Sequence, residues 1–335
     1  MSKRAVSAPR RVTLLDLIVC MTAVCCSGAA IAAERAARYP VRPIRIIVPL
    51  GTGGVTDITA RALAQRLTES LGQQVIIDNR PGAGQIIGTE IAMKAQPDGH
   101  TLLWLNSGHA VSVAMMKSIP FDPVRDFVPI SSVAFFGLAI VVNNDSPTKS
   151  VSQLIAQAKS NPATVNFGIT NIGTTNHVSA ELFKSMAGLG TQVVPFKTTP
   201  ALIAAARSNE ASAIFEFIAP VLPHVKSGAL RAVAVTTASR YPGLPDVPTV
   251  AEVGFPGYEA SAWNALAAPA KTPRAIVEQL NREVHAIVAT PEFRQRLTEL
   301  SIEPRVSTPE ALRTALAAEI VKWKSVVEKA KIERL

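Results

Sequence analysis

The chain has 335 residues, of which 48% are hydrophobic and 18% charged, and carries a formal net charge of +9. That length and apolar fraction suit one large domain or two ordinary ones with a sizeable core, and they exclude a disordered chain. The basic residues are scattered and are not interleaved with aromatics, so no nucleic-acid face is expected.

The first 32 residues have the layout of an export signal. Lys3, Arg4, Arg10 and Arg11 precede an apolar stretch from Val12 to Val24, and Ala30-Ile31-Ala32 supplies the small residues for cleavage near Ala32. Cys20, Cys25 and Cys26, the three cysteines of the chain, all fall inside it. The exported chain then has no cysteine for a disulfide or a thiolate site. The leader takes four basic residues and Asp16 with it, and the exported chain keeps a charge of +6. No later stretch offers the ~18 uninterrupted apolar residues of a membrane span. A soluble periplasmic protein is expected.

Ile44, Ile46, Ile47 and Val48 predict a buried strand, Gly51, Gly53 and Gly54 a tight turn, and Thr56 or Asp57 a cap for the helix through Leu67. A strand that ends in glycines at a helix N-terminus leaves backbone N–H groups for an anion, though the same residues also make a plain α/β turn. Strands follow at Gln74–Asp78 and Thr101–Leu105, with a helix over 85–95 between them, and Asn106-Ser107-Gly108 closes the third strand with a polar loop. Two apolar runs, Ile130–Phe136 and Leu138–Val142, precede a break at Asn143–Pro147. Beyond it, helices over 151–159, 176–187, 200–208 and 219–226 alternate with strands over 165–168, 192–195, 213–217 and 230–235. A proline-rich segment, 240–257, leads to an apolar strand at Trp263–Ala268 and three terminal helices over 273–289, 291–300 and 309–330.

Alternation of this kind implies a mostly parallel sheet with ligands at strand carboxyl ends. Four polar or glycine loops fall at such ends: Gly51–Asp57, Asn106–Gly108, Thr170–His177 and Phe196–Thr199. Two precede the break near Asn143 and two follow it, which predicts two lobes with facing loops. Familiar catalytic signatures are missing: GTGGVTD lacks the third glycine of a dinucleotide fingerprint and the Lys of a P-loop, and neither HExxH nor G-x-S-x-G occurs. No assembled acid, base, nucleophile or metal set points to an enzyme.

Several blocks in order are similar to one family. YPVRPIRIIVP with Gly53-Gly54, Asp57 and Ala60-Arg61 is the first. Asp78-Asn79-Arg80-Pro81-Gly82-Ala83-Gly84 and Pro97-Asp98-Gly99-His100-Thr101-Leu102 follow. Phe121-Asp122-Pro123, Gly173-Thr174 with His177 and Glu181-Leu182-Phe183, and Leu244-Pro245-Asp246-Val247-Pro248-Thr249 complete the set. From about Tyr39 to Ile332 the chain resembles the substrate-binding proteins of tripartite tricarboxylate transporters, the Bug family of exported solute receptors.

The resemblance implies an α/β, two-lobed fold of the periplasmic-binding-protein kind, with 33–142 and 237–335 in one lobe and 143–236 in the other. It implies a monomer that closes on a small carboxylate, such as a di- or tricarboxylate, an acidic amino acid or an aromatic acid. No cofactor is implied, and integral-membrane permease subunits receive the ligand. An exported hydrolase or lyase on the same scaffold, or a sensory receptor for the same ligand class, are the alternatives.

In this reading Gly53 and Gly54 present N–H groups to a carboxylate or simply turn the chain. Thr52 donates a hydroxyl. Asp57 caps its helix or binds an ammonium or water. Asn106 and Ser107 offer side-chain donors, and Gly173, Thr174 and Thr175 open the second lobe's helix, with His177 as ligand or brace. Phe196 and Trp263 are apolar walls or core, and Lys197 pairs with a carboxylate or stays solvated beside Thr198. The chain departs from the family at Leu50–Gly54, in the Phe196–Thr198 loop, at Glu216 where aspartate is usual, and at Trp263-Asn264.

Overall fold

β-Branched runs alternating with amphipathic stretches build a mixed sheet flanked by helices in the computed structural model, which describes residues 39–335. The export signal, with its three cysteines and the cleavage point near Ala32, lies outside the described residues. Strand β1 (Ile44–Val48) runs parallel to β2 (Val75–Asn79) on one side and to β3 (Thr101–Asn106) on the other. Ile44, Ile46, Ile47 and Val48 are fully buried, as a strand covered on both faces requires. A second parallel set repeats the arrangement, with β5 (Asn166–Thr170) between β6 (Gln192–Phe196) and β7 (Ala213–Phe217).

Helices α1 (Val55–Leu71), α2 (Ile86–Met93) and α3 (Ser107–Met115) belong to the first set. Helices α4 (Val151–Ser160), α5 (Thr175–Ala187), α6 (Thr199–Arg207) and α7 (Ile218–Lys226) accompany the second. Helices α8 (Arg274–Ala289), α9 (Pro291–Glu299) and α10 (Pro309–Lys329) end the chain. None of the described helices is long and apolar enough to cross a membrane.

The antiparallel strands depart from simple alternation. The runs Ile130–Phe136 and Leu138–Val142, expected as separate elements, form one 17-residue strand, β4 (Phe127–Asn143). Its first half pairs with β9 (Ser261–Pro269) and with the short β10 (Glu303–Pro304), and its second half with β7 and β8 (Leu230–Val235). The change of partners falls at Gly137. A Cβ there would stand 2.5 Å from Thr237 Cγ2, so glycine lets the returning chain press against β4 without breaking it. That return is fixed by the fully buried Thr236, whose hydroxyl donates to Ala260 O at 2.6 Å and accepts from Leu138 N at 3.2 Å. The two segments that connect one parallel strand set with the other, at Leu138 and at Thr236, therefore lie side by side.

Two large cores divide the sheet's faces. One lies under α1, α8 and α9 and includes Leu63, Trp104, Leu280 and Phe293. The other runs unbroken from the first lobe into the second, from Leu103 and Val111 through Trp263 and Trp323 to Phe167, Phe183 and Phe215. Helix α10 packs on both α3 and α5 and joins the two lobes on that side. The carboxyl ends of β1, β3, β5 and β7 face the remaining gap.

Candidate functional site

Three helices begin on the gap: α1 after β1, α3 after β3 and α5 after β5. Their N-caps are Gly54, Asn106 and Thr174. In each, the side chain at the third helical position reaches back to a loop amide, in the manner of a capping box. Asp57 Oδ2 accepts from Gly53 N at 2.9 Å, His109 Nδ1 from Asn106 N at 3.2 Å, and His177 Nδ1 from Gly173 N at 3.2 Å. The back-bonds fix the loops and spare the amides ahead of them. Ser107 N, Thr175 N and Asn176 N have no acceptor among the described residues. Burial lowers the His109 pKa to about 4, so this brace is neutral at physiological pH.

Helices α3 and α5 aim these ends at one cavity of about 470 Å³ between the lobes. Ser107 Oγ and Thr175 Oγ1 meet across it at 3.2 Å, and both residues are buried. Asn106, Gly173, Thr174 and Trp263 also line it, with Phe136 and Phe217 as apolar walls, and no Lys, Arg, His, Asp or Glu is among the lining residues. Two lining residues, Gln85 and Asn171, hold φ of 61° and 55°, a left-handed conformation that non-glycine residues rarely adopt and that concentrates at functional sites. Two helix N-termini with spare amides, meeting in a neutral cavity, suit an anion without a cationic side chain.

An outer chamber of about 920 Å³ adjoins the cavity and shares Leu50, Thr56, Thr170, Asn171 and Phe217 with it. Thr52, Gly53, Gly54, Lys197, Thr198 and Glu216 line this chamber beside apolar Ile58, Ile203 and Leu222.

A family model described as the tripartite tricarboxylate transporter family receptor, TctC, matches residues 59–332. The chain belongs to that receptor family. Protein BugT of Bordetella pertussis is 38% identical over 291 residues, which span 86% of this chain and 89% of BugT. Among solved structures, R. palustris Rpa4515 with adipate superposes with a TM-score of 0.81 at 34% identity, covering 89% of this chain and all of that one. MatC from Rhodopseudomonas palustris with bound malate gives 0.77 at 29% identity, covering 86% and 100%. The fold is the two-lobed one of these periplasmic receptors.

Within this TctC receptor the residues singled out from sequence separate into three groups. Asn106, Ser107, Gly173, Thr174, Thr175 and Trp263 come together on the inner cavity, and Thr52, Gly53, Gly54, Lys197, Thr198 and Glu216 on the outer chamber. Asp57, His177 and Phe196 line neither. Helix α1 starts at Val55, so neither Thr56 nor Asp57 is the N-cap. Asp57 instead takes up the Gly53 amide and accepts from Arg61 Nε at 3.0 Å and Asn79 Nδ2 at 2.9 Å. Burial pushes its pKa up, but the bonds from Arg61, Gly53 and Asn79 together hold it below the ordinary carboxylate value. The Gly53 N–H is thus spent inside the loop. Phe196 packs against the apolar cluster beneath α6 and α7.

The Asn106 side chain is also spent: its Oδ1 accepts from Gly108 N and Gln85 Nε2, and its Nδ2 donates to Gln85 Oε1 at 2.7 Å. Thr198 caps α6 by accepting from Ala201 N at 3.3 Å, and Lys197 is exposed with no carboxylate in ion-pair range among the described residues. Buried Glu216 accepts from Asn176 Nδ2, Phe217 N and Thr199 Oγ1 at 2.8–3.1 Å. It has no cation partner among the described residues, and desolvation pushes its pKa up against those bonds. Gln85, Asn176 and Asn264 are cavity residues that sequence reasoning missed as donors. Asn264 carried one available signal, being the polar position within the otherwise apolar WNALAA strand.

Trp263 is held from behind. Its Nε1 donates to Glu319 Oε2 on α10 at 2.6 Å, and Trp323 Nε1 donates to Oε1 at 3.3 Å. Desolvation raises the Glu319 pKa to about 7, opposed by the two indoles and Lys322 and reinforced by Glu259. Between its unfolded value near 4.5 and about 7 the folded state binds more protons, so this group's contribution falls as pH rises through that window and is flat above it. Glu319→Gln keeps an acceptor for Trp263. The variant is expected to match the parent's melting temperature near pH 4.5 and to exceed it at pH 8, by about 1–3 kcal/mol of stability. A difference between the two that does not vary with pH would remove Glu319 as its source.

Proposed function

We propose that the protein is an extracytoplasmic receptor that captures a small carboxylate between its lobes and hands it to a membrane permease. The observation that carries this reading is the convergence of the α3 and α5 N-termini, with Ser107, Thr175 and Asn176 amides unspent, on one cavity with no charged side chain lining it among the described residues. Adipate and malate in the related structures fit the same chemistry. The hydrogen-bonded neighbours Leu138 and Thr236 support a hinge behind the cleft, whose closure would bring the two helix ends onto one carboxylate. Membership of the receptor family supports export to the periplasm and delivery to permease subunits.

Thermal-shift screening of the leaderless protein against mono-, di- and tricarboxylates, acidic amino acids and aromatic acids tests this. A ligand at about 100 times its Kd adds about 2.7 kcal/mol, which raises the melting temperature by several degrees. The reading fails if no acid raises it while sugars or amines do.

A further inference from the structure

One buried polar side chain in the wall of the inner cavity has its whole hydrogen-bonding capacity unspent. Asn264 lies on β9 directly opposite Asn106 of β3. Its residue is fully buried, and neither Nδ2 nor Oδ1 meets a partner among the described residues. The other buried carboxamides around the cavity behave differently. Asn106 and Gln85 satisfy each other at 2.7 and 3.1 Å, and Asn176 donates to Glu216 and to Phe215 O at 3.0 Å. Burying both ends of an amide without partners costs stability that leucine, of similar shape, would not. A fold that satisfies the other buried amides of the cavity and leaves this one open breaks a packing rule at the place where a ligand would complete it.

The chemistry of the group decides what completes it. A carboxamide donates through Nδ2 and accepts through Oδ1. An ionised carboxylate only accepts, so it would satisfy Nδ2 and set its charge against Oδ1, and no cationic side chain lines the cavity to offset that. A hydroxyl or a carboxamide both donates and accepts, and matches both atoms. We propose that Asn264 is a specificity-determining residue: it pairs with a neutral donor-acceptor group on the ligand, so that the site selects carboxylates that also bear a hydroxyl or carboxamide over the plain alkyl acid. This rests on the reading of the cleft as a carboxylate site, with the charged end held by α3 and α5.

Calorimetric titration with matched pairs tests the assignment: lactate against propionate, malate against succinate, 2-hydroxyglutarate against glutarate. The parent is expected to bind the hydroxylated member of its preferred pair at least about tenfold more tightly. Asn264→Leu should erase that ratio, leave the plain acid's affinity within a few-fold of the parent's, and melt no lower than the parent without ligand. Asn264→Ser, smaller and still polar, provides the same readout should the leucine variant misfold. Equal affinities within every pair for the parent, or a hydroxyl preference that survives both substitutions, would overturn the role of Asn264 while leaving carboxylate binding intact. If the parent binds no member of these pairs, the acid that raises its melting temperature and the analogue lacking its hydroxyl or carboxamide form the matched pair, and equal affinities there overturn the role of Asn264. A folded parent that no acid stabilises while sugars or amines do would remove the carboxylate reading itself, and this assignment with it.

Discussion

Thr175→Asp is expected to abolish carboxylate binding while leaving the receptor folded. Thr175 is the first residue of α5, is buried, and sits 3.2 Å from Ser107 across the cavity. An aspartate there places a fixed negative charge at the end of the helix that favours it, by about 0.3–1 kcal/mol, and it accepts from the Ser107 hydroxyl in place of threonine. The unliganded protein should therefore melt no lower than the parent. A ligand carboxylate, however, now meets a like charge about 4 Å away, worth about 4 kcal/mol at an effective dielectric near 20. Affinity should fall by at least about 100-fold, since each 1.4 kcal/mol is a factor of ten. Thr175→Ser keeps the hydroxyl and should bind nearly as the parent does. Titration of the three proteins with one acid decides the matter. An aspartate variant that binds as tightly as the parent would show that the anion lies elsewhere.

The chemistry of the site was legible to different depths at different residues. Strand, glycine turn and helix could be read directly from Ile44 to Leu67, because each signal is local. Which amides remain free could not, because that depends on side chains folding back: Asp57 occupies the Gly53 amide, whereas the amides of Ser107, Thr175 and Asn176 stay open. The two apolar runs around Gly137 look like two strands, since the information that joins them is the approach of Thr237, a hundred residues on. Asn106 looks like a free donor until Gln85, 21 residues earlier, is brought against it. Asn264 reaches the cavity only because β9 inserts between β3 and β4, a pairing that connects residues far apart in sequence.

The neutral lining also bears on how the receptor works. A lysine or arginine in the cavity would hold a carboxylate tightly in any orientation, whereas amides and hydroxyls from two lobes hold it only when both lobes are in place. In the proposed function, affinity is thereby tied to closure. The Ser107–Thr175 contact marks the point where the lobes meet, and the shared core beneath α10 marks where they stay joined. The charged side chains of the described residues lie outside the cavity, where a net positive charge attracts an anion over a distance but does not select one.

Phe183→Ala should separate stability from recognition in the opposite sense to Thr175→Asp. Phe183 is fully buried on α5 and packs its ring against Phe167, Phe215, Phe255 and Tyr258 at centroid distances of 5.7–6.3 Å. These partners come from β5, β7 and the returning segment before β9, so the ring ties α5 to the sheet and to the crossing. Truncating a buried phenylalanine costs about 3–5 kcal/mol through lost transfer energy and the cavity left behind. In a protein of this size that lowers the melting temperature by roughly ten degrees. The first turn of α5 lies two turns away, and its amides and hydroxyls are untouched, so affinity measured well below the melting temperature should change less than about fivefold. Saturating ligand should return part of the lost stability by mass action. A loss below about 1 kcal/mol would mean that the aromatic cluster relaxes around the gap, and that α10, with its contacts to α5, carries the helix instead.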